Sequence, residues 1–426
     1  MRARELPEWV DPAELYLSGP ASAEYSFWLD AGPEATTGWS WLGSGTPVGD
    51  APRERECATS PLDDTAGPFA GGWIGWLDYD AAARRAGAPA ALDPGAGAGR
   101  GILVDRFVAL DHGTRRAWAW APADDLDAFA REVAAWRGTR AAAQPAPPVG
   151  VSARHTAGEY AELVERCRDA IRDGDAYQLC LTTRFDVGTR IDPIAAFLRL
   201  RHATPTHHGA LIRVGDHALA SASPERFLEI ADGIVRTRPI KGTRPRGADD
   251  PIDRALAREL AESIKERAEN VMIVDLMRND LQRVCVPGSV AVEQLLEVES
   301  YAAVHQLVST IAGRLRPGTR IDDVLEAAFP AGSMTGAPKL SAMTLLHGLE
   351  GGPRGAFAGC FGWIGADGRA DLAMVIRSIV FHPGGAFVGA GGGITWRSDA
   401  EAEVAEVGVK ARGPLAAVGG ALPPGW

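Results

Sequence analysis

The chain of 426 residues carries 44 basic and 55 acidic side chains, a formal net charge of −11, with 46% hydrophobic and 7% aromatic residues. That length holds two domains or one large composite one, and the composition is that of a globular protein with a sizeable core. The acidic balance without a basic block argues against a nucleic-acid partner, and no apolar run approaches the roughly 18 residues a membrane helix needs.

The opening "MRARELPEWVDPAELYL" lacks the apolar stretch of a signal peptide. The five cysteines (57, 167, 180, 285 and 360) are scattered and show no C-x-x-C spacing. Reduced thiols and a cytoplasmic location are expected.

Residues 1–137 hold nine of the twelve tryptophans. Short apolar runs there alternate with glycine and proline turns: "YSFWLDAG", "GWSWLG", "GGWIGWLDYD", "GILVDRFVALD" and "RRAWAWAPA". These read as strands of a β-rich N-terminal half. "ALDPGAGAGRG" has no strand leading in and no helix following, so it reads as a loop and not a phosphate cradle. An Ala- and Pro-rich linker is expected over 138–155, and a second domain over 156–415.

In that second domain Tyr160, Leu163, Val164, Cys167 and Ile171 form one helical stripe. "YQLCLTTRFDV" follows as a strand. One long helix is expected from Pro251 through "DRALARELAESIKERAENVMIVDLMRNDL". After it come a helix over "HQLVST", a helix near 321–328, a loop "FPAGSMTGAP" feeding a short helix, and strands "GAFAGCFGWIG" and "RADLAMVIRSIVF". A glycine run "GAGGGIT", readable as a turn, leads to a last helix "SDAEAEVAEVGVKAR". Neither "GSMTGAPK" nor "AGCFG" has the spacing of a Walker loop or an amidotransferase cysteine elbow.

Of the 44 basic residues only four are lysines, at 241, 265, 339 and 410. Lys241 stands among Arg236, Arg238, Arg244 and Arg246. Unlike arginine, lysine can act as a neutral amine nucleophile. Glu266 and Glu269, and again Glu403 and Glu406, lie three apart on one helical face. Spacing alone favours two solvated faces; brought together, the four would repel unless a hard cation such as Mg²⁺ sat between them. Lys410 is placed for an i,i+4 pair with Glu406. Arg377 inside "LAMVIRSIV" would be costly to bury without an anion. Gly391, Gly392 and Gly393 offer backbone N–H groups for a carboxylate, or simply a turn.

Taken in order, "SPERF", "RPIKGTRPRG", "ELAESIKERAENVMIVDLMRNDL", "VHQLVST", "FPAGSMTGAPK", "GWIG…DLAMVIRS" and "GAGGGIT…AEVAEVGVKAR" resemble the chorismate-utilising enzymes. That family includes anthranilate synthase component I, aminodeoxychorismate synthase component I, and the isochorismate and salicylate synthases. The resemblance is strongest over about 155–412 and implies an α+β fold: antiparallel sheets packed together, helices outside, two interleaved halves.

"PIKGT" resembles the branch that aminates chorismate at ring carbon 4, where anthranilate synthases typically carry alanine in place of Lys241. The resemblance implies Lys241 as nucleophile and Glu225 as general acid, although Glu225 read alone suggests an ion pair with Arg226 or Arg238. It implies Glu269 and Glu406 as direct Mg²⁺ ligands, and Glu266 and Glu403 as outer ones. Gly242, Thr243, Thr335, Phe357, Arg377, Gly391, Gly392, Gly393 and Lys410 match substrate-binding positions. Gln178 stands where water-activating relatives carry lysine, pointing to ammonia as the nucleophile. Gln306 replaces a histidine common before "LVS", His305 lying a residue off, and Phe357 replaces a frequent tyrosine. Implied partners are chorismate, ammonia and a separate glutamine amidotransferase subunit. Anthranilate synthase and a non-catalytic chorismate-binding subunit are the alternatives.

Overall fold

A computed structural model describes residues 1–59, 64–92, 99–138, 144–301 and 304–426. All the strands among them belong to one hydrogen-bonded system of antiparallel pairs, with helices outside. The expected α+β class is what is found. The long strand Gly99–Asp111 pairs with Trp39–Val48, with Gly72–Leu77 and with Arg116–Ala121, and so joins two sheets. Through Trp39–Val48 it leads to Tyr25–Asp30, which pairs with His208–Val214. Through Gly72–Leu77 it leads to Cys360–Gly365. Strands from before residue 138 are therefore built into both sheets of the later chain. Residues 93–98 of the "ALDPGAGAGRG" stretch and 139–143 of the 138–155 linker fall outside the described residues; the end of that stretch, read as loop, belongs to the strand Gly99–Asp111.

Apolar side chains gather into two cores. One holds Trp73, Trp76, Phe107, Ile273 and Met277; the other holds Trp28, Tyr160, Phe185 and Val407. Trp28, Trp73 and Trp76 are at most 2% exposed; burying one such ring is worth about 4–6 kcal/mol of transfer free energy. The helix Ala157–Arg172 starts at a capping box between Thr156 and Glu159 and buries Tyr160, Leu163, Val164 and Cys167, as its stripe predicts.

The two helices that carry the paired glutamates sit on different cores. Ile264–Gln282 buries Ile273, Val274, Met277 and Leu281 in the first. Ala400–Ala417, capped by Asp399, buries Val407, Ala411 and Leu415 in the second. Their acidic ends approach each other, Glu269 and Glu403 both lying within 4.0 Å of Lys265 Nζ, and the space around them is the cleft.

Four local readings need correction. The expected long helix is two, Asp250–Glu262 and Ile264–Gln282, divided at Ser263, whose hydroxyl accepts from the Glu266 amide at 3.4 Å. "VHQLVST" lies in the strand Val304–Arg314 and not on a helix. A one-residue step there reverses the face instead of turning it by about 100°. The run "RADLAMVIRSIVF" breaks into Ala370–Met374 and Ser378–His382, with Arg377 in the break at φ +51°. The glycine run is the end of the strand Gly385–Ile394 and not a turn, because residues 386–394 pair continuously with 179–187.

Candidate active site

Lys241 lies in the short strand Ile240–Pro245. Its pairing with Val304–Arg314 shifts register between Ile240 and Thr243. Such an irregularity re-aims a side chain. Gly242 follows at φ +81°, where a Cβ would come within 2.7 Å of Leu260 and 3.0 Å of Glu266. Only glycine is unstrained there, so the segment presents Lys241 while its own backbone lies against the first acidic helix. Thr243 is opposite Gln306.

Across the cleft, a Cβ on Gly393 would lie 2.1 Å from Gln178 Nε2 and 3.3 Å from Lys241 Nζ. On Gly392 it would lie 2.7 Å from Glu403 Oε2. The glycines thus act through what they lack, letting Lys241, Gln178 and Glu403 close on bare backbone. Gly391 contributes its carbonyl oxygen, which accepts from Lys410 Nζ at 2.7 Å. Gln178 is 1% exposed, yet neither atom of its amide has a hydrogen-bond partner. Buried polar groups are rarely left so, and among the described residues both Gln178 atoms stand open to a polar group.

Glu225 is buried and receives a hydrogen bond from Ser333 Oγ at 2.9 Å. Burial pushes its carboxyl up to about 7, partly countered by that hydrogen bond and by the Lys241 and Lys410 charges. It makes no ion pair with Arg226 or Arg238: Arg226 pairs with Asp371 and Glu229, and Arg238 with Glu299. In the pairing of Arg226–Ala231 with Ala370–Met374, Asp371 lies opposite Glu229, and the Arg226 side chain reaches along the pair to it at 3.1 Å. Ser333 is held in the one-turn helix Gly332–Thr335, where the Met334 carbonyl accepts from buried Arg354 at 2.7 Å. Arg354 is in turn paired with Glu350 at 2.7 Å. Thr335 is fully buried, its hydroxyl near the carbonyls of Ala331, Gly332 and Gly336. Phe357 is buried with its ring against Gly389, where a Cβ would come within 2.1 Å.

The two glutamate pairs meet. Lys265 Nζ stands 3.7 Å from Glu403 Oε1 and 4.0 Å from Glu269 Oε1, bridging the acidic helices. Burial raises the Glu269 carboxyl, and Glu266 and Glu403 raise it further; burial and Glu406 do the same to Glu403. Glu403 is held by Ser398 Oγ at 2.8 Å. Glu406 goes the other way: although burial opposes it, the Lys410 ammonium at 2.7 Å holds the carboxyl below its usual range. Glu266 lies 3.8 Å from Arg244. Arg377 makes no side-chain hydrogen bond among the described residues; burial lowers its pKa, and only the Glu406 charge offsets this.

The donor set is anionic, oxygen-only and partly buried, and Glu269 Oε1 has no hydrogen-bond partner. That chemistry fits a hard divalent cation. Among the described residues no three such groups are gathered into a ready-made cage; Lys265 stands in the gap.

The model of the chorismate binding enzyme family matches residues 22–416. The chain belongs to the chorismate binding enzymes. It is 43% identical over 387 residues to the aminodeoxychorismate synthase of Streptomyces pristinaespiralis, covering 86% of this chain and 53% of the relative. It is 41% identical over 354 residues to aminodeoxychorismate synthase component 1 of Salmonella typhimurium, covering 81% and 76%. The crystal structure of anthranilate synthase component I from Streptococcus pneumoniae superposes with a TM-score of 0.75 at 27% identity, covering 96% of this chain and 91% of that one. The chain spans only about half the length of the Streptomyces pristinaespiralis relative.

For this family member, the cleft draws together Lys241, Glu225, both glutamate pairs, Lys410 and the glycine strand. The Lys241 charge acts on Glu225, Glu269 and Glu406 alike. His305 is turned out of the cleft, bonded to Ser300 Oγ at 2.7 Å and Asp253 at 2.9 Å. Sequence reasoning missed Ser333 and Lys265; the scarcity of lysine was the available signal for the second. A separate cavity of about 530 Å³, lined by Trp39, Trp41, Trp363, Arg226 and Asp371, holds none of the expected site residues, though it touches Pro224 and Ile240. No helix among the described residues is long and apolar enough to cross a membrane.

Proposed function

We propose that this chain aminates chorismate at ring carbon 4, giving 4-amino-4-deoxychorismate and water, as an aminodeoxychorismate synthase component I. The observation that carries the reading is Lys241, an amine aimed across the cleft at Gly393 and Gln178 and sharing its surroundings with Glu225 and the glutamate pairs.

In this account the neutral Lys241 amine bonds to ring carbon 2, the ring double bonds shift, and the carbon 4 hydroxyl departs as water with the proton from Glu225. Ammonia bonds to carbon 4, the double bonds shift back, Lys241 is released as the amine, and a proton from the new carbon 4 nitrogen restores Glu225. Glu225, neutral up to about pH 7 because it is buried, holds its proton at neutral pH. Gln178, which cannot act as a base, leaves water unactivated. Arg377, Lys410 and the glycine strand bind the substrate carboxylates, with Gly242, Thr243, Thr335 and Phe357 around the ring. Glu269 and Glu406, with Glu266 and Glu403 beside them, would hold Mg²⁺, which would supply positive charge for the ring carboxylate. Ammonia comes from a separate glutamine amidotransferase subunit.

The test is product identification: purified protein with chorismate, Mg²⁺ and excess ammonium, read by mass and ultraviolet spectrum. Aminodeoxychorismate, converted to p-aminobenzoate by an added lyase, is the expected product. Anthranilate would show that Lys241 does not mark the carbon 4 branch. No turnover, even with a glutamine-hydrolysing subunit supplied, would favour a chorismate-binding subunit.

A further inference from the structure

All four lysines have work that an arginine would do differently. Lys241 and Lys410 are in the cleft. Lys339 is partly buried against Asp280 at 2.6 Å and the Ala328 carbonyl at 2.9 Å, tying the segment that carries Ser333 to the first acidic helix. Lys265 is half-exposed on that same helix, where this chain writes Arg267 and Arg278 for its other surface cations. With 40 arginines to four lysines, a cation whose only duty was solubility would be expected as arginine. Lys265 differs from these neighbours in its contacts. It is the cation between Glu269 and Glu403, which sit on helices anchored in different cores. Glu269 Oε1, the atom it approaches, is buried without a hydrogen bond.

An ammonium is a compact point charge on a flexible stem and makes no fixed fork to a carboxylate, so it can approach two acids and still leave. A guanidinium would lock onto one of them through paired hydrogen bonds. We infer that Lys265 is the resident counter-cation of the acidic cleft: it holds the two helices together when no metal is bound, and a divalent cation must displace it. This rests on the metal reading of the proposed function. On that reading, Lys265 sets how much metal the protein needs before the cleft is ready for substrate, and it keeps the metal-free protein from splaying under the repulsion of its own carboxylates.

The experiment measures the Mg²⁺ concentration that gives half-maximal thermal stabilisation of the purified protein without chorismate, so no turnover enters the readout. Lys265→Gln removes the competitor. It is expected to lower that concentration by about three- to tenfold, while the melting temperature of the metal-free protein falls by about 1–2 °C. Lys265→Arg, a harder cation to displace, should raise the concentration.

Arg267→Gln makes the same charge change on an exposed side chain that donates to the Ala261 carbonyl at 3.1 Å and touches neither glutamate pair. It should stay within about twofold of the parent. Equal shifts for Lys265→Gln and Arg267→Gln would reduce the effect to general charge and overturn the inference. So would an unchanged or higher Mg²⁺ concentration for Lys265→Gln while the parent protein is still stabilised by Mg²⁺. If Mg²⁺ stabilises neither the parent nor any variant, the metal reading itself falls and takes this inference with it.

Discussion

Glu225 and Glu406 are the same chemical group in two parts of one cleft, and both feel Lys241 and Lys410. Glu225 is buried with only the Ser333 hydroxyl in contact, and desolvation carries its carboxyl up to about 7. Glu406 touches the Lys410 ammonium at 2.7 Å and stays below the usual carboxylate range in spite of burial. The cations are shared; contact is not. At hydrogen-bond distance a charge outweighs desolvation, and a few ångströms further away it only tempers it. One end of the cleft therefore keeps its carboxyl protonated toward neutral pH, while the other keeps its carboxylate charged.

Removing the proton at the first end should have the largest effect. Glu225→Gln should lower turnover by about 10²–10⁴-fold while stabilising the fold at alkaline pH. A carboxyl raised to about 7 in the folded protein keeps a proton that the unfolded chain has already lost, so its stability contribution falls as pH rises toward 7. Above that pH the buried charge costs on the order of 3 kcal/mol, which the glutamine avoids. The melting-temperature gain should be absent near pH 4 and full by pH 8; a gain independent of pH would remove the buried charge from the explanation. Ser333→Ala, losing a hydrogen bond to the ionised form, should move the alkaline limb of the kcat profile to higher pH; an unmoved limb would break the link between Ser333 and Glu225.

At the second end, Glu269→Gln and Glu406→Gln should each raise the Mg²⁺ requirement of turnover by at least about 10–100-fold. Unchanged metal dependence in both would take the pair out of the site and leave Lys410 with Glu406 as an ordinary helix ion pair.

Much of the cleft was legible before the structure, because the glutamate spacing, the lone lysines and the glycines are local patterns. That the glutamate pairs meet was implied only by the family resemblance; spacing alone favoured two solvated faces, because the meeting depends on two helices anchored in separate cores. The glycine run was misread because three glycines favour a turn locally, whereas pairing with Gln178–Val187 extends them into a strand. The break at Ser263 carries no glycine or proline; its signal is the S-x-x-E spacing of Ser263 and Glu266, passed over because the helical pattern continues through it. Arg377 was placed in a strand for the same reason: nothing between residues 370 and 382 signals a residue at positive φ. Ser333 finds Glu225, and Lys265 finds Glu403, across about 110 and 140 residues, a separation at which no periodicity speaks; the Lys265–Glu269 pair, at i,i+4, was within its reach.

The most direct test of the account is the amination rate of Lys241→Ala with saturating chorismate, Mg²⁺ and ammonium, measured beside the parent protein. The account predicts that aminodeoxychorismate formation is abolished or strongly reduced while the variant still melts cooperatively at the parent temperature. Formation at an undiminished rate would contradict the covalent role of Lys241.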